Sequence, residues 1–544
     1  MDPSIIEVAL IGAGLGITSH LGYFIRGEFV ESAPRLLIVA LATPPASVAL
    51  LTAYTHLSLA GAIKITTIGY GAYSAALVTS MVMYRLFFHP LRHFHGPKFA
   101  TITQMYHAYQ ISQGNNYVYL ARMHAAYGGF VRIGPNTLSV AEPDWVDLVH
   151  NRHTLFKKAD WYDLGKPRIS LQQIRDPVLH DKRRRHGWDK AFTATSLRAY
   201  DSRIVKYADI LVLQLRKTGL RTVNVTEWFN SFAFDVMGEL TFGRAFKALE
   251  TGKSHPVIDA IHVANTNGSN LHSLPWLFVI MLQLLPKSLS GFGPVLAYGD
   301  KYVKERQTYE PDEPDIMSRI LGAGQFFPNK KEEEDILKSD SRLLIVAGSD
   351  TTATALTFAY YHLARDSSIV EKLRKELSQH HITDQKQCNV QQLQDLPYMN
   401  AVINEVLRLH PPVPSGFFRE TPAEGVNIGG HFLPGGVKLL TPPYVIQRSP
   451  KAFVKPNDFL PERWTTRPEL ILKKEAFFPF LIGRFSCIGK QLALNELRLV
   501  LAKLILEFDI TFAENEDGRA LLEESIDGNT MVLAKLNIHF HSRK

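Results

Sequence analysis

Cysteine is almost missing from this 544-residue chain, which holds only Cys388 and Cys487. Two thiols give no disulfide framework, so the folded part is expected on a reducing side rather than outside the cell. They also exclude an iron–sulfur cluster or structural zinc site built on about four such ligands. Internal repeats and low-complexity tracts are lacking as well. So is any long block of one charge: the net charge of +8 comes from scattered Lys and Arg, with one short run at Lys182, Arg183, Arg184 and Arg185. That scatter argues against a nucleic-acid partner and for a basic face toward an acidic protein or a membrane surface.

At the N-terminus nearly all charge is missing. Residues 5–25, 36–54 and 65–88 are apolar, and each is about long enough to cross a bilayer. The chain begins with Asp2 and Glu7 instead of a basic segment, and the apolar stretches continue, which argues for two or three membrane helices over a cleaved leader. Pro44 and Pro45 are expected to interrupt the second stretch. With three spans, Arg85, Arg92 and Lys98 after the last would hold the remainder in the cytosol. The chain thus divides into a membrane anchor over residues 1–88, a proline/glycine hinge over 89–97 and an enzyme domain over 98–544. Helical periodicity dominates that domain, with short strand-like runs near 131–140 and 437–440. Mainly α with small β-sheets is the class this predicts.

Cys487 stands in the run FPFLIGRFSCIGKQLALNELR. A Gly-containing loop precedes it and an amphipathic helix follows, so backbone N–H groups and the positive end of a helix dipole would lie near the sulfur and favour thiolate. Phe480, Gly483 and Gly489 complete most of the pattern FxxGxRxCxG around it. The chain therefore resembles the cytochrome P450 haem-thiolate monooxygenases, over roughly residues 95–540, with the flavour of the fungal microsomal type. The resemblance implies haem b as cofactor, with Cys487 as axial iron ligand, and Phe480 and Gly489 beside the ring. A thiolate ligand favours O–O cleavage.

Three further motifs follow the same resemblance. Residues 335–366 read as one long helix with AGSDTT at its centre, where Thr351 would serve the oxygen site and Asp350 would relay protons from water. Ala347, Gly348, Thr351 and Ala355 would share one small face, and a Thr hydroxyl there can bond back to the preceding turn and open the helix. Glu405 and Arg408 form ExxR, which Arg463 of PERW would complete as a structural cluster. Propionate partners would come from His180 and Arg184, with Arg185 as the alternative, and from Arg419. Two residues before Cys487 the family has Arg, but here stands Phe485. Either Arg484 reaches round or that contact is missing, and Phe485→Arg would then be tolerated.

The implied activity is insertion of one oxygen atom from O2 into an apolar substrate, a secondary metabolite, at the endoplasmic reticulum membrane. NADPH-cytochrome P450 reductase would supply electrons, with cytochrome b5 as a second donor. A haem-thiolate isomerase or dehydratase needing no reductase is one alternative, although Asp350 and Thr351 argue against it. A non-catalytic membrane haem protein is the other. Substrate contacts are expected around 157–169, 262–285, 413–418 and 527–531.

Overall fold

A computed structural model describes residues 4–27, 29–166, 168–219, 221–284, 293–428 and 430–543. Helices dominate, and the strands gather into small sheets. The first helix, Ile5–Gly22, is capped reciprocally by Ser4 and Glu7. The stretches Ile5–Arg26 and Ala33–Tyr54 are each long and apolar enough to cross a membrane.

Contrary to expectation, Pro44 and Pro45 lie inside the Ala33–Tyr54 helix without breaking it. Pro44 has no N–H to offer the carbonyl of Ala40, but the Tyr70 hydroxyl donates to that oxygen at 2.6 Å from the next helix. That third helix, Leu59–Met83, starts earlier than the sequence predicts. It lies against the first at backbone distance: a β-carbon at Gly12 would stand 2.3 Å from the Gly69 carbonyl oxygen, and one at Gly16 equally close to that of Tyr73.

The segment 89–97 docks against the domain. Arg132 N–H donates to the His95 carbonyl at 2.8 Å, Leu91 is buried, and a β-carbon at Gly96 would sit 2.2 Å from the Arg132 oxygen. Arg132 belongs to β1 (Phe130–Gly134), which pairs with β2 (Thr137–Val140). With β3 (Lys157–Lys158), β4 (Phe418–Glu420) and β5 (Lys438–Leu440), these strands form a five-stranded sheet in the order β1-β2-β5-β4-β3. Its register sets Lys158 directly opposite Arg419.

The central helix runs Lys330–Arg365, its first turn capped by Asn329 on the N–H groups of Lys331 and Glu332. It is buried along most of its length and packs on the Val225–Phe242 helix and on the helix Lys490–Glu507 that follows Cys487.

Glu405 and Arg408 share a face of the Pro397–Leu409 helix, and Arg463 reaches them from the PERW turn. The Glu405 carboxylate accepts from Arg408 Nε and Nη2 at 2.8 Å, from Arg463 Nε and the Leu460 N–H at 2.9 Å, and from Trp464 Nε1 at 3.0 Å. The remaining Arg408 and Arg463 donors end on backbone carbonyls between Gln447 and Leu470. All three charged residues are fully buried. Two cations and one anion, shared with loop carbonyls, lock together the segments that lead into the cysteine loop.

Candidate active site

The cysteine loop is built by constraint on its backbone. Gly483 adopts a φ of +68°, and a β-carbon there would meet the His150 oxygen at 2.3 Å, so no other residue fits. The Cys487 N–H donates to the Phe480 carbonyl at 2.8 Å and closes the loop. Helix Lys490–Glu507 then starts with Gly489 as its cap. The N–H groups of Gly489 and Lys490 point at the Cys487 sulfur, and Arg184 adds positive potential.

Burial nevertheless outweighs these groups and pushes the Cys487 thiol above its ordinary value. The side chain is exposed by surface area even so; both hold for a sulfur that faces an internal space instead of bulk water. Gly489 has φ −80°, which any residue can adopt. A β-carbon there would sit 3.9 Å from the sulfur, an ordinary contact. Neither backbone nor protein packing therefore demands glycine at 489, whereas a flat ring beside the sulfur does. Cys388 offers no competing ligand: it is buried in the main core, and burial pushes its thiol up to about 12.

On the central helix the small face divides. Ala347 is exposed and Thr351 partly so in the middle of a buried helix, while Gly348 packs on Met237, whose sulfur would lie 2.6 Å from an added β-carbon. Gly348 thus serves close helix packing on one side while staying half-buried like Thr351; Ala347 alone of this face is exposed, and Ala355 is buried. The Thr351 hydroxyl donates to the Ala347 carbonyl at 2.8 Å, and the helix stays regular there. Asp350 is buried and turned to the Pro256–Asn270 helix, where Asn265 Nδ2 donates to it at 3.2 Å. Sequence reading passed over Glu496, buried on the cysteine helix, hydrogen-bonded to Thr352 and pushed up to about 8 by burial.

Of the expected propionate partners, His180 and Arg419 meet around Phe485, joined by Lys158, which the sequence did not single out. Lys158 Nζ lies 4.5 Å from its ring centre, the Arg419 guanidinium 5.2 Å, and the His180 ring packs edge-on at 4.9 Å. Lys158 donates to the carbonyls of Gln172 and Ile174. Arg419 donates to Tyr162 Oη at 3.2 Å, but its buried Nε has no hydrogen-bond partner among the described residues. Burial, with Lys158 next, lowers His180 to about 4, so it is neutral at pH 7.

The basic run itself splits three ways. Arg183 is buried against Asp340 and Glu333. Arg184 pairs with Asp189 and donates to the carbonyls of Arg484 and Ser486, so it braces the cysteine loop. Lys182 and Arg185 are exposed. Arg484 turns to Asp181 at 3.3 Å, and Trp188 Nε1 is taken by Asp340 at 3.1 Å.

The four expected substrate-contact stretches converge, except Pro167 and Leu285, which lie outside the described residues. Trp161, His272 and Phe418 pack in series, tilted at 4.3 Å and edge-on at 5.0 Å, and Asp527 accepts from Ser415. Among the described residues no group of three or more His, Cys, Asp or Glu side chains could hold a metal by itself. A single thiol, a clear flank at Gly489 and an orphaned buried guanidinium N–H instead suit an iron that arrives with its own ring of nitrogens and acidic side arms.

Residues 95–539 match the family model for cytochrome P450. The chain belongs to that family. It is 37% identical over 529 residues to the cytochrome P450 monooxygenase notG' of Aspergillus versicolor, covering 96% of each chain. It is 35% identical over 527 residues to the tryprostatin B 6-hydroxylase of Aspergillus fumigatus, covering 95% of this chain and 94% of that one. It is also 35% identical over 546 residues to the cytochrome P450 monooxygenase lcsK of Purpureocillium lilacinum, covering 98% and 97%. The P450 is thus a haem-iron monooxygenase of the fungal secondary-metabolism type, which requires a redox partner and takes a hydrophobic substrate.

Proposed function

We propose that this P450 is a membrane-anchored haem b monooxygenase with Cys487 as axial ligand, oxidising an apolar secondary metabolite on the cytosolic face of the endoplasmic reticulum. The observation that carries it is the pairing of a loop-held, N–H-solvated Cys487 sulfur with a central helix whose middle leaves Ala347 exposed and Thr351 half-buried. Electrons come from NADPH-cytochrome P450 reductase, with cytochrome b5 as a second donor. Haem, when bound, supplies the oxygen-activating chemistry.

The protein's own groups do the rest. The Gly489 and Lys490 N–H groups hold negative charge on the sulfur. Lys158 and Arg419 hold the acidic side arms, with the unpaired Arg419 Nε as one donor. Thr351 exchanges its Ala347 carbonyl for the reacting oxygen site, and Asp350 supplies protons. Residues 1–88 anchor the domain that begins beyond 89–97. With the N-terminus on the opposite side, cytosolic placement needs an odd number of crossings. The Leu59–Met83 helix, 25 residues and so about 37 Å long, provides the third beside the first.

Thr351→Ala should keep its haem yet send a several-fold larger share of NADPH electrons to hydrogen peroxide, and Asp350→Asn should slow NADPH use. Unchanged peroxide per NADPH in both would favour the isomerase reading.

Haem retention tests the side-arm partners. Lys158→Ala and Arg419→Ala should each lower haem occupancy after gel filtration by several-fold, since a charge-assisted hydrogen bond is worth about 1.5–3 kcal/mol. Phe485→Arg, which sequence alone marks as benign, should instead lower the yield of folded protein, because the new cation would face Lys158 and Arg419 within about 5 Å.

A further inference from the structure

Asp350 is placed to receive protons, but not from the side of Thr351. Consecutive helix residues point about 100° apart, and the Asp350 carboxylate faces the Pro256–Asn270 helix and the hairpin formed by Ile526–Gly528 and Thr530–Val532. One oxygen, Oδ2, accepts from Asn265 Nδ2 at 3.2 Å and from Thr530 Oγ1 at 3.1 Å. The other, Oδ1, has no close hydrogen bond, and His262 Nε2 stands 3.4 Å from it. His262 and Asn265 are three residues apart on one helix, so both reach the same carboxylate. The Asp350 side chain is 2% exposed and that of His262 21%. The imidazole therefore bridges a buried acid and the outside.

We propose that His262 is the positioning residue through which solvent protons reach Asp350. The inference rests on the monooxygenase reading of the site. In the step itself the imidazolium Nε2–H bond breaks and an Asp350 Oδ1–H bond forms, leaving a neutral imidazole and a neutral acid; solvent then returns a proton to the imidazole. Asn265 and Thr530 keep hold of Oδ2 throughout, so the carboxyl need not move to be protonated. Because those two groups belong to the stretches where substrate contacts converge, a ligand that shifts either would release the acid toward Thr351.

The electrostatics agree with the geometry. Burial works against the imidazolium, but the close contact with the Asp350 carboxylate and its charge, with Asp259 one turn away, leave His262 raised above its ordinary value. Of the ionisable groups on the other elements packed on this helix, Asp527 of the hairpin is engaged with Ser415, His107 of Met105–Ser112 with Asn116, and on Gly293–Arg306 Asp300 pairs with Arg168 and Arg342, Glu305 with Arg244 and Lys301, and Arg306 with Asp315.

The test uses the full chain in membranes with NADPH-cytochrome P450 reductase and no added substrate, following NADPH oxidation and hydrogen peroxide against pH. A raised imidazole is charged below its own pKa and empties above it, so the wild-type rate should fall as pH rises through that point. His262→Gln keeps a donor near Oδ1 but carries no proton to give. It should be several-fold slower and lose that limb of the profile, whereas Asn265→Ala should be slower with the profile retained. A wild-type rate and profile in His262→Gln would overturn the proposal. If His262→Gln loses haem, histidine NMR of the full chain decides: Asp350→Asn should lower the His262 titration point, and an unchanged point would overturn it. A normal thiolate spectrum in each variant separates failure here from failure of the monooxygenase reading.

Discussion

Replacing Cys487 by serine should abolish the far-red-shifted Soret band of the reduced carbon monoxide complex, with no other thiol able to restore it. Serine keeps the loop bond from the 487 N–H to the Phe480 carbonyl and nearly the same volume, so the loop should still form. What disappears is the only group at that position that gives a soft anionic ligand to iron. The thiol is held above its ordinary value by burial even with two N–H groups and Arg184 opposing. Deprotonation is thus tied to binding the metal, which drives it outright. Apoprotein should consequently alkylate slowly at Cys487, and Cys388, pushed up to about 12, more slowly still. A thiolate-type spectrum from Cys487→Ser would remove the assignment.

Glu405→Ala is the second large effect. It leaves Arg408 and Arg463 fully buried without the carboxylate they share, and it strips the Leu460 N–H and Trp464 Nε1 of their acceptor. Breaking one partner of a buried pair costs about 3–5 kcal/mol, a large part of the roughly 5–15 kcal/mol that holds a protein folded. Thermal unfolding and the yield of haem-retaining protein should both drop sharply. Glu405→Gln should fall between, since its one carbonyl oxygen can replace neither the charge nor all five bonds. Wild-type stability in Glu405→Ala would show that the two guanidinium groups are satisfied by the carbonyls from Gln447 to Leu470 alone.

Local pattern made much of this legible. The central helix, the ExxR face, and the cysteine between a glycine loop and a helix are all short-range arrangements, and the side chains they need lie within one or two turns. Periodicity also gave the strands at 131–140 and 437–440. Errors arose where a distant group rescued a local rule. Pro44 and Pro45 read as a break, yet the Tyr70 hydroxyl, 30 positions away in the next helix, meets the carbonyl that proline leaves bare. Gly348 read as part of an open face, but Met237 fills that side.

The surroundings of Phe485 show the same division. Sequence could see that an Arg was missing and that cations stood elsewhere. It could not see that β3, only two residues long, would set Lys158 opposite Arg419, or that Arg484 would turn to Asp181 while Arg184 braced the loop. Sequence by itself determined the family and the helical class and singled out Cys487 as the proposed sulfur ligand, because each depends on spacing within a continuous run. Tertiary structure alone decided which cations face the site and that His262 meets Asp350, because those contacts join segments scores to hundreds of residues apart, and charge pairing there follows from packing and desolvation, which no local pattern encodes.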